Sequence, residues 1–234
     1  MGYRLEPLTN QHDRAGFRSA SPALNTYLQQ LARKDAKRRG AASFVMVEES
    51  TPATIVGFYT LSAFVVEVKE LPEEMQKKLP RYPRLPATLL GRLARDERFP
   101  GTGSLLLMDA LARAHRQSVQ VASLAVVADA KDDLALTFYR KFGFLPLGSD
   151  PNRVFLAMGT VAQLVNSSAQ PVDTGDWRRR CNRPEWADQC SQINGAGRTA
   201  EGIRLYLLPK YSPQLATVGQ TGEGRSLFAG TSRG

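Results

Sequence analysis

The sequence predicts an α/β domain over residues 1–158, in which helices flank a mixed, mostly antiparallel sheet. Strand-like and helix-like segments follow one another there in the order β-α-β-β-β-α-β-α-β. The character of the chain then changes, because residues 166–202 are rich in Ser, Gly, Asn, Gln and Arg and residues 219–234 are rich in glycine. We therefore expect residues 159–234 to be a poorly ordered extension without a core of its own.

The first half of the domain is predicted to contain one helix and a β-hairpin. Leu24, Leu28 and Leu31 lie at helical spacing, and this helix has a basic end. Two apolar segments follow and are separated by the turn residues Ser50-Thr51-Pro52, which is typical of paired antiparallel strands. The expected elements are a strand at residues 3–8, a helix from Ser21-Pro22 to Gly40, and strands at residues 43–47 and 55–63.

The second half is organised around a glycine-containing turn. A buried strand over residues 87–94 leads into the turn, and an apolar helix over residues 103–116 follows it. Asp132 is placed to cap the next helix, which ends at Phe142-Gly143-Phe144. The remaining expected elements are a short helix within residues 71–79 and strands at residues 123–127 and 153–158.

Charge and hydropathy restrict the possible partners. The net charge is +9, and the excess of Lys and Arg is spread over both parts of the chain. This balance favours polyanionic partners, nucleic acid above all. No apolar run approaches the ~18 residues needed to cross a bilayer, and the N-terminus lacks the apolar core of a signal peptide. We expect a cytoplasmic protein that does not bind a membrane.

Cysteine and histidine usage excludes two kinds of chemistry. Cys181 and Cys190 both lie in the last third of the chain, so residues 1–158 have no thiol nucleophile and no cysteine metal site. His12 and His115 are far apart in sequence, and no histidine cluster suggests zinc. We expect no metal, and we expect His115 to be a surface residue.

Two motifs indicate acyl transfer when they are taken together. Gly101 and Gly103 lie where a strand turns into a helix, and they leave backbone N–H groups exposed beside the positive end of the helix dipole. Such a turn suits a pyrophosphate. Further along the chain, Phe138-Tyr139 and Phe142-Gly143-Phe144 form an aromatic helix end and turn. The pair points to coenzyme A, although either motif alone also fits an ordinary turn or a packed helix end.

With these motifs, residues 3–158 resemble the GNAT acyl-CoA N-acetyltransferases, and specifically the acetyltransferase toxins of bacterial type II toxin–antitoxin modules. Several sequence blocks in the family's order carry the resemblance. They are Gly57-Phe58-Tyr59-Thr60-Leu61-Ser62-Ala63, Leu79-Pro80-Arg81-Tyr82-Pro83, Arg92-Leu93-Ala94, Val127-Ala128-Asp129-Ala130 and Phe138-Tyr139-x-x-Phe142-Gly143-Phe144. The resemblance implies a GNAT fold, in which the fourth and fifth strands splay apart to hold the coenzyme.

The resemblance implies acetyl-CoA as co-substrate and gives roles to the matching residues. Tyr139 is implied as the general acid that protonates the departing thiolate. The pyrophosphate is expected on the N–H groups from Arg98 to Ser104, with the Arg98 side chain as an additional cation. The expected cofactor-binding residues are Leu93, Ala94, Arg95, Arg98, Phe99, Pro100, Gly101, Thr102, Gly103, Ser104 and Phe138.

The chain departs from the family pattern at this turn. The signature Arg/Gln-x-x-Gly-x-Gly/Ala is met by Arg98, Gly101 and Gly103, but it lies closer to the Arg-Leu-Ala strand than is usual. Arg95 stands where valine is typical, and Pro100 has no N–H to offer. These departures bear on coenzyme affinity and on activity.

The toxin family acetylates the α-amino group of aminoacyl-tRNA and so blocks translation. An α-amine has a pKa of roughly 8 or below, so an appreciable fraction is neutral near pH 7 without a general base. A cluster of basic residues is typical both of a surface that binds tRNA phosphates and of a solvated helix end. For Arg92, a structural role is a further alternative. The expected tRNA-binding residues are Arg33, Lys34, Lys37, Arg38, Arg81, Arg84 and Arg92.

Partners and alternatives follow from the same resemblance. It implies a ribbon-helix-helix antitoxin and a homodimer. A rival interpretation is an acetyltransferase of a small amine, a polyamine or a protein lysine. A third is an inactivated toxin that serves only as a binding module for antitoxin or RNA.

The extension resembles a different family. Residues 203–215 are similar to the segment before the last catalytic glutamate of DDE-type insertion-sequence transposases. That family continues with Asn-Pro-x-Glu, whereas this chain continues with Ala216-Thr217-Val218-Gly219. Because the acid is absent, we expect a remnant of a mobile element without transposase activity.

Overall fold

The structure is a computed structural model that describes residues 2–169, and its elements follow the predicted order. The strands are β1 (Tyr3–Pro7), β2 (Ala42–Glu48), β3 (Ile55–Glu67), β4 (Arg84–Arg95), β5 (Ala125–Asp129), β6 (Leu145–Pro146) and β7 (Arg153–Ala157). The helices are α1 (Pro22–Thr26), α2 (Ala32–Lys37), α3 (Glu73–Gln76), α4 (Gly103–Ser118), α5 (Asp133–Lys141) and α6 (Met158–Ala169). A π-helical turn at Tyr27–Leu31 joins α1 to α2, and a 3₁₀ turn at Val68–Glu70 precedes α3.

The strands form one sheet in the order β1-β2-β3-β4-β5-β7-β6. Each neighbouring pair is antiparallel except β4 and β5, which run parallel. Parallel strands need a crossover connection, and α4 provides it. The prediction of a mixed, mostly antiparallel sheet flanked by helices is confirmed.

Different helices cover the two faces of the sheet. On β2, Met46 packs in the cluster that includes α4, α5 and α6, whereas Val45 and Val47 pack in the cluster that includes the first helical segment. This alternation is expected, because successive side chains of a strand point to opposite faces. Leu107 and Leu111 of α4 are completely buried, so α4 is anchored firmly against the sheet.

Strands β3 and β4 are longer than predicted and pair through the proline-rich segment. Pro86 pairs with Val65, and its carbonyl accepts a hydrogen bond from the Leu124 N–H at 2.8 Å. The N and O of one strand residue point to the same side, so the N–H that proline lacks would face away from β3. The β3–β4 pairing therefore continues past Pro86 without losing a hydrogen bond.

Other elements differ in extent from the prediction. The expected helix from Ser21 to Gly40 contains the π-helical turn, and β5 begins at Ala125 rather than at residue 123. The helix expected within residues 71–79 is limited to α3, which Pro72 precedes as N-cap. The two-residue edge strand β6 was not predicted, since so short a strand has no periodicity to detect.

The packed domain continues beyond its predicted end. Met158 begins α6 instead of closing the last strand, and Val161 on this helix is completely buried. The packed region therefore includes α6, and the expected boundary at Met158 is too early. Residues 170–234 lie outside the described residues, and with them Cys181, Cys190 and the transposase-like segment 203–215. Within residues 2–169, no helix is long and apolar enough to span a membrane.

Candidate active site

Strands β4 and β5 separate where a coenzyme is expected. They pair only through Thr88–Leu90 and Val126–Ala128, although β4 continues to Arg95. Gly91 is the extra residue of a β-bulge against β3, and a Cβ at Gly91 would lie 3.3 Å from Thr60 Oγ1. Beyond this bulge, the described residues provide no strand partner on the β5 side of Leu93, Ala94 and Arg95.

The turn between β4 and α4 presents a run of unused backbone donors. From Gly101 to Leu105, no N–H donates to an acceptor within residues 2–169, and the first helical hydrogen bond runs from Leu106 N to Thr102 O. Gly101 has a φ of +82°, a left-handed conformation that favours glycine. Since α4 is 16 residues long, its N-terminus adds a substantial dipole to these donors. The arrangement is suited to bind an anion such as a pyrophosphate.

The Arg98 side chain, expected as an additional cation for the pyrophosphate, is paired with a carboxylate in the structure. Its Nε and Nη2 atoms donate to the two carboxylate oxygens of Asp96 at 2.8 and 2.9 Å. Asp96 is completely buried, and a buried charge requires a partner of opposite sign. This requirement of Asp96 accounts for its pairing with Arg98.

The unused N–H groups also begin later in the chain than the expected segment, which started at Arg98. The Arg98 N–H donates to Asp96 Oδ1 at 3.0 Å, and the Phe99 N–H donates to the Asp96 carbonyl at 3.1 Å. Pro100 has no N–H. The available donors therefore begin at Gly101 and include Leu105, which the sequence analysis did not name.

Hydrogen bonds keep Asp96 ionised despite its burial. Desolvation by itself raises the pKa of Asp96, but the Arg98 side chain and the backbone N–H groups of Arg18 and Arg98 outweigh it and lower the pKa below its usual value. The Arg18 N–H donates to Asp96 Oδ2 at 2.9 Å, so a loop distant in sequence is tied to the turn. No sequence signal beyond a carboxylate after a buried strand marked this residue.

Tyr139 lies in the aromatic end of α5, beside the start of α4. Its ring packs against Phe138 and Phe144, with centroid distances of 5.6 and 5.2 Å. A Cβ added at Gly103 would lie 3.9 Å from the Phe138 ring, so this aromatic pair adjoins the anion-binding turn. Burial, with a smaller contribution from Asp129, raises the pKa of the Tyr139 phenol. The phenol therefore remains protonated at neutral pH.

The basic residues separate into free and paired side chains. Arg84 pairs with Glu67 at 2.7 Å, and the Arg92 guanidinium lies 3.6 Å from the centroid of the Tyr27 ring. Arg92 thus packs against Tyr27, as the alternative of a structural role for Arg92 predicted. The others are exposed and have no ion pair within residues 2–169; they are Arg33, Lys34, Lys37 and Arg38 at α2 and Arg81 in the β3–β4 connection.

Within residues 2–169, neither histidine forms a hydrogen bond with the turn before α4 or with Tyr139. His12 is buried, with Nε2 at 2.9 Å from Glu6 Oε1 and Nδ1 accepting the Thr9 N–H. His115 is partly buried on α4 rather than fully exposed. In the described part of the chain, no group of three or more His, Cys, Asp or Glu side chains is arranged to hold a metal ion.

A polar network between α4 and the sheet was not predicted from the sequence. The buried Tyr59 hydroxyl donates to Asp109, and Arg113 contacts both groups, with its Nη2 at 3.2 Å from Asp109 Oδ2. Desolvation, followed by the Asp109 charge, raises the pKa of Tyr59. The spacing of Asp109 and Arg113 was the available signal, because i and i+4 residues of a helix are neighbours.

A mixed sheet with separated parallel strands and an amide-lined helix start defines a GNAT-type acyl-CoA N-acetyltransferase. Comparison with known proteins makes the class more specific. The chain is 30% identical over 171 residues to "Probable toxin TacT" of Sinorhizobium fredii, covering 69% of this chain and 94% of that protein. It is 30% identical over 160 residues to the "tRNA-acetylating toxin" of Mycobacterium tuberculosis, covering 68% and 93%. The chain belongs to the family of acetyltransferase toxins of toxin–antitoxin systems.

Solved structures agree with this assignment. AtaT complexed with acetyl-methionyl-tRNAfMet is 28% identical with a TM-score of 0.65, covering 70% of this chain and 99% of that one. AtaTR bound with AcCoA is 26% identical with a TM-score of 0.61, covering 69% and 97%. No protein-family model matches the sequence.

Proposed function

We propose that the protein is a toxin that transfers the acetyl group of acetyl-CoA to the α-amino group of aminoacyl-tRNA and thereby blocks translation. The observation that carries this proposal is the run of unused N–H groups from Gly101 to Leu105, next to the gap between β4 and β5. Membership of a family with a tRNA-acetylating toxin supports the same reaction.

Backbone groups hold the donor in this proposal. The pyrophosphate accepts hydrogen bonds from the Gly101–Leu105 amides, where the dipole of α4 adds to the attraction. The pantetheine arm and thioester carbonyl lie along Leu93, Ala94 and Arg95, whose β5 side has no strand partner in the described residues. Phe138 closes the side of the turn beside Gly103.

Tyr139 is the proposed general acid. The amine nitrogen attacks the thioester carbonyl and forms the new C–N bond, and the C–S bond then breaks. The phenol donates its proton to the departing sulfur, and the amine releases a proton to solvent. The tyrosinate that remains then takes up a proton from solvent, which restores the starting state. Because burial raises the pKa of Tyr139, the residue is a proton donor rather than a base at neutral pH.

The acceptor amine needs little help from the protein. An α-amine titrates at about 7.7–8.0, so an appreciable fraction is nucleophilic near neutral pH. A lysine side chain titrates near 10.4 and would need a base. The Asp129 carboxylate, which acts on the pKa of Tyr139, is paired with Arg153. Since residues 2–169 offer no evident free base here, the aminoacyl end of tRNA is favoured over a protein lysine.

The exposed basic residues of α2 are proposed to bind tRNA phosphates. Arg33, Lys34, Lys37 and Arg38 are unpaired within residues 2–169, so their charges are available to a polyanion. Arg81 extends this set on the β3–β4 connection. Arg84 and Arg92 stay in the proposal as secondary contacts, because each already has a protein partner.

The proposed partners follow from the family. We infer that an antitoxin of the ribbon-helix-helix type restrains the toxin and that two copies form a homodimer. Since charged tRNA and acetyl-CoA are cytoplasmic, we place the protein in the cytoplasm. We propose that the extension begins at residue 170, after the last residue of α6, instead of at residue 159.

Transfer of radiolabelled acetyl groups tests the proposed function. The full chain is incubated with acetyl-CoA and total aminoacyl-tRNA, and the same tRNA with its α-amino groups chemically blocked is the control. We expect label on the free aminoacyl end only. Tyr139→Phe should lose the transfer, whereas Tyr3→Phe, which removes a hydroxyl from β1, should retain it.

Each other outcome contradicts the proposal in a recognisable way. Label on small amines or protein lysines, with none on tRNA, would establish the rival acetyltransferase. If no transfer occurs and calorimetry detects no acetyl-CoA binding, the protein is a binding module rather than an enzyme.

A further inference from the structure

Asp96 is the centre of the hydrogen bonds that shape the anion-binding turn. Its carboxylate is completely buried and accepts from Arg98 Nε, Arg98 Nη2, the Arg98 N–H and the Arg18 N–H, at 2.8 to 3.0 Å. Its carbonyl accepts from the Phe99 N–H. One residue at the end of β4 therefore fixes the chain on both sides of itself.

The same residue joins the turn to a second loop. Arg18 O accepts from the Glu97 N–H at 2.9 Å, and Gly16 O accepts from Arg98 Nη2 at 3.4 Å. The chain before α1 and the chain after β4 are thus bonded in both directions. Such a closed set of bonds restricts the turn more than one contact could.

The restraint continues to Thr102, the second residue of the segment with unused donors. Phe99 is held by Asp96 through its N–H, and its carbonyl accepts the Thr102 hydroxyl at 2.9 Å. Thr102 is buried and precedes α4 as its N-cap. Two hydrogen bonds, one from the N–H and one to the carbonyl of Phe99, therefore connect Asp96 to Thr102 within the Gly101–Leu105 segment.

We propose that Asp96 is a positioning residue for the acyl donor: it does not touch the coenzyme, and it holds the Gly101–Leu105 amides in the conformation that binds the pyrophosphate. This inference rests on the proposed function. It gives Arg98 a role that differs from the expected one, since Arg98 neutralises Asp96 instead of contacting the phosphate. The turn lies closer to the preceding strand than is usual in the family, so an anchor such as Asp96 is useful. Amides that are already fixed in the binding conformation lose no binding free energy to ordering when the coenzyme binds.

A donor comparison tests the proposal. Acetyl-CoA is compared with acetyl-pantetheine, which has the same thioester arm but no pyrophosphate. For Asp96→Asn, we expect KM for acetyl-CoA to rise about 10- to 100-fold, the range for losing hydrogen bonds to a charged group. The kcat at saturation and the kcat/KM for acetyl-pantetheine should stay close to those of the unmodified chain.

Asp109→Asn is the matched control. Asp109 is also a poorly exposed carboxylate paired with an arginine, and it lies on α4 away from the turn. A purely structural effect lowers the active fraction for both donors alike, in either variant. We expect Asp109→Asn to preserve the preference for acetyl-CoA that Asp96→Asn loses.

Equal losses for the two donors, or no loss for either, in Asp96→Asn would overturn the inference. If this variant does not fold, Arg98→Lys replaces it, since lysine keeps a charge beside Asp96 but not the two-pronged contact. The same selective loss is expected there, and an unchanged preference overturns the inference. If the unmodified chain itself does not prefer acetyl-CoA to acetyl-pantetheine, the proposed donor site fails, which is a different result.

Discussion

The anion-binding turn and the basic segment of α2 are both proposed to contact phosphates, yet they are built differently. The turn presents backbone N–H groups from Gly101 to Leu105 and holds them through a buried carboxylate. The α2 segment presents exposed, unpaired side chains. We therefore expect the turn to select one phosphate geometry and α2 to attract charge with little geometric demand.

This difference predicts which perturbation affects which substrate. Binding of acetyl-CoA at the turn should depend on backbone conformation and respond little to salt, because the groups that hold the pyrophosphate are uncharged amides. Binding of tRNA should depend on charge and salt, because it releases counterions.

The largest effect is expected for Tyr139→Phe. Removing a positioned proton donor costs about 10²- to 10⁴-fold in kcat, and KM for acetyl-CoA should change little since the ring remains. Single-turnover kinetics with acetyl-CoA measures the loss. Because burial raises the pKa of this phenol, no decline in kcat from its ionisation is expected below about pH 9. A kcat unchanged in Tyr139→Phe would exclude Tyr139 as the acid.

The second effect concerns tRNA and salt. Replacing the basic residues of α2 together with alanine should raise KM for aminoacyl-tRNA about 10- to 100-fold at physiological salt and flatten its salt dependence. KM for acetyl-CoA should stay the same. The residues are Arg33, Lys34, Lys37 and Arg38.

Arg116→Ala is the control, since Arg116 is an exposed cation in the last turn of α4 and does not belong to the basic segment of α2. It should leave the salt dependence unaltered. Should the α2 variant bind tRNA with the original salt dependence, the proposed tRNA surface is wrong and the contrast with the turn disappears.

A third effect isolates backbone conformation. Gly101→Ala introduces no close contact, because nothing lies within 4 Å of the added Cβ, but the φ of +82° is strained for alanine. We expect the substitution to cost about 1–2 kcal/mol, either in the free energy of unfolding or in the free energy of acetyl-CoA binding. Urea unfolding measures the first and calorimetry the second. Gly159→Ala is matched, since its Cβ also meets nothing and its φ is not positive. Equal effects of the two substitutions would contradict the role of the Gly101 conformation.

The smallest effect is a stability difference in acid. The native pKa of Asp96 lies below its usual value of 3.8, so its ionisation stabilises the fold above that value. This contribution is lost as the pH falls through the lower, native pKa. The difference in unfolding free energy between the unmodified chain and Asp96→Asn should be constant above about pH 5 and shrink below about pH 4, measured by urea unfolding. A difference that grows in acid would reverse the assigned direction.

Much of the fold was predictable because its signals are local. The hydrophobic periods of β2, β3 and α4 and the glycine turn lie within short segments, so the element order followed directly. The helix α6 was missed, although Val161, Leu164 and Val165 have helical spacing. Its polar continuation obscured that signal.

The site was predictable in outline and not in detail. The glycines predicted the turn before α4 with its unused amides, and the aromatic pattern predicted the helix end that contains Tyr139. The binding and catalytic roles of these residues stay predictions. The pairing of Arg98 with Asp96 was not predictable, because it depends on the burial of Asp96 by residues far away in sequence, such as Arg18. Tertiary burial decides whether a cation is free to bind a ligand.

Amide chemical shifts during titration with coenzyme A test the central claim most directly. If the turn binds the pyrophosphate through its backbone, the ¹⁵N–¹H resonances of Gly101, Thr102, Gly103, Ser104 and Leu105 should move to higher proton frequency and saturate together. Those of Arg98 and Phe99, already bonded to Asp96, should move far less. Saturable binding that leaves the Gly101–Leu105 resonances in place would contradict the account.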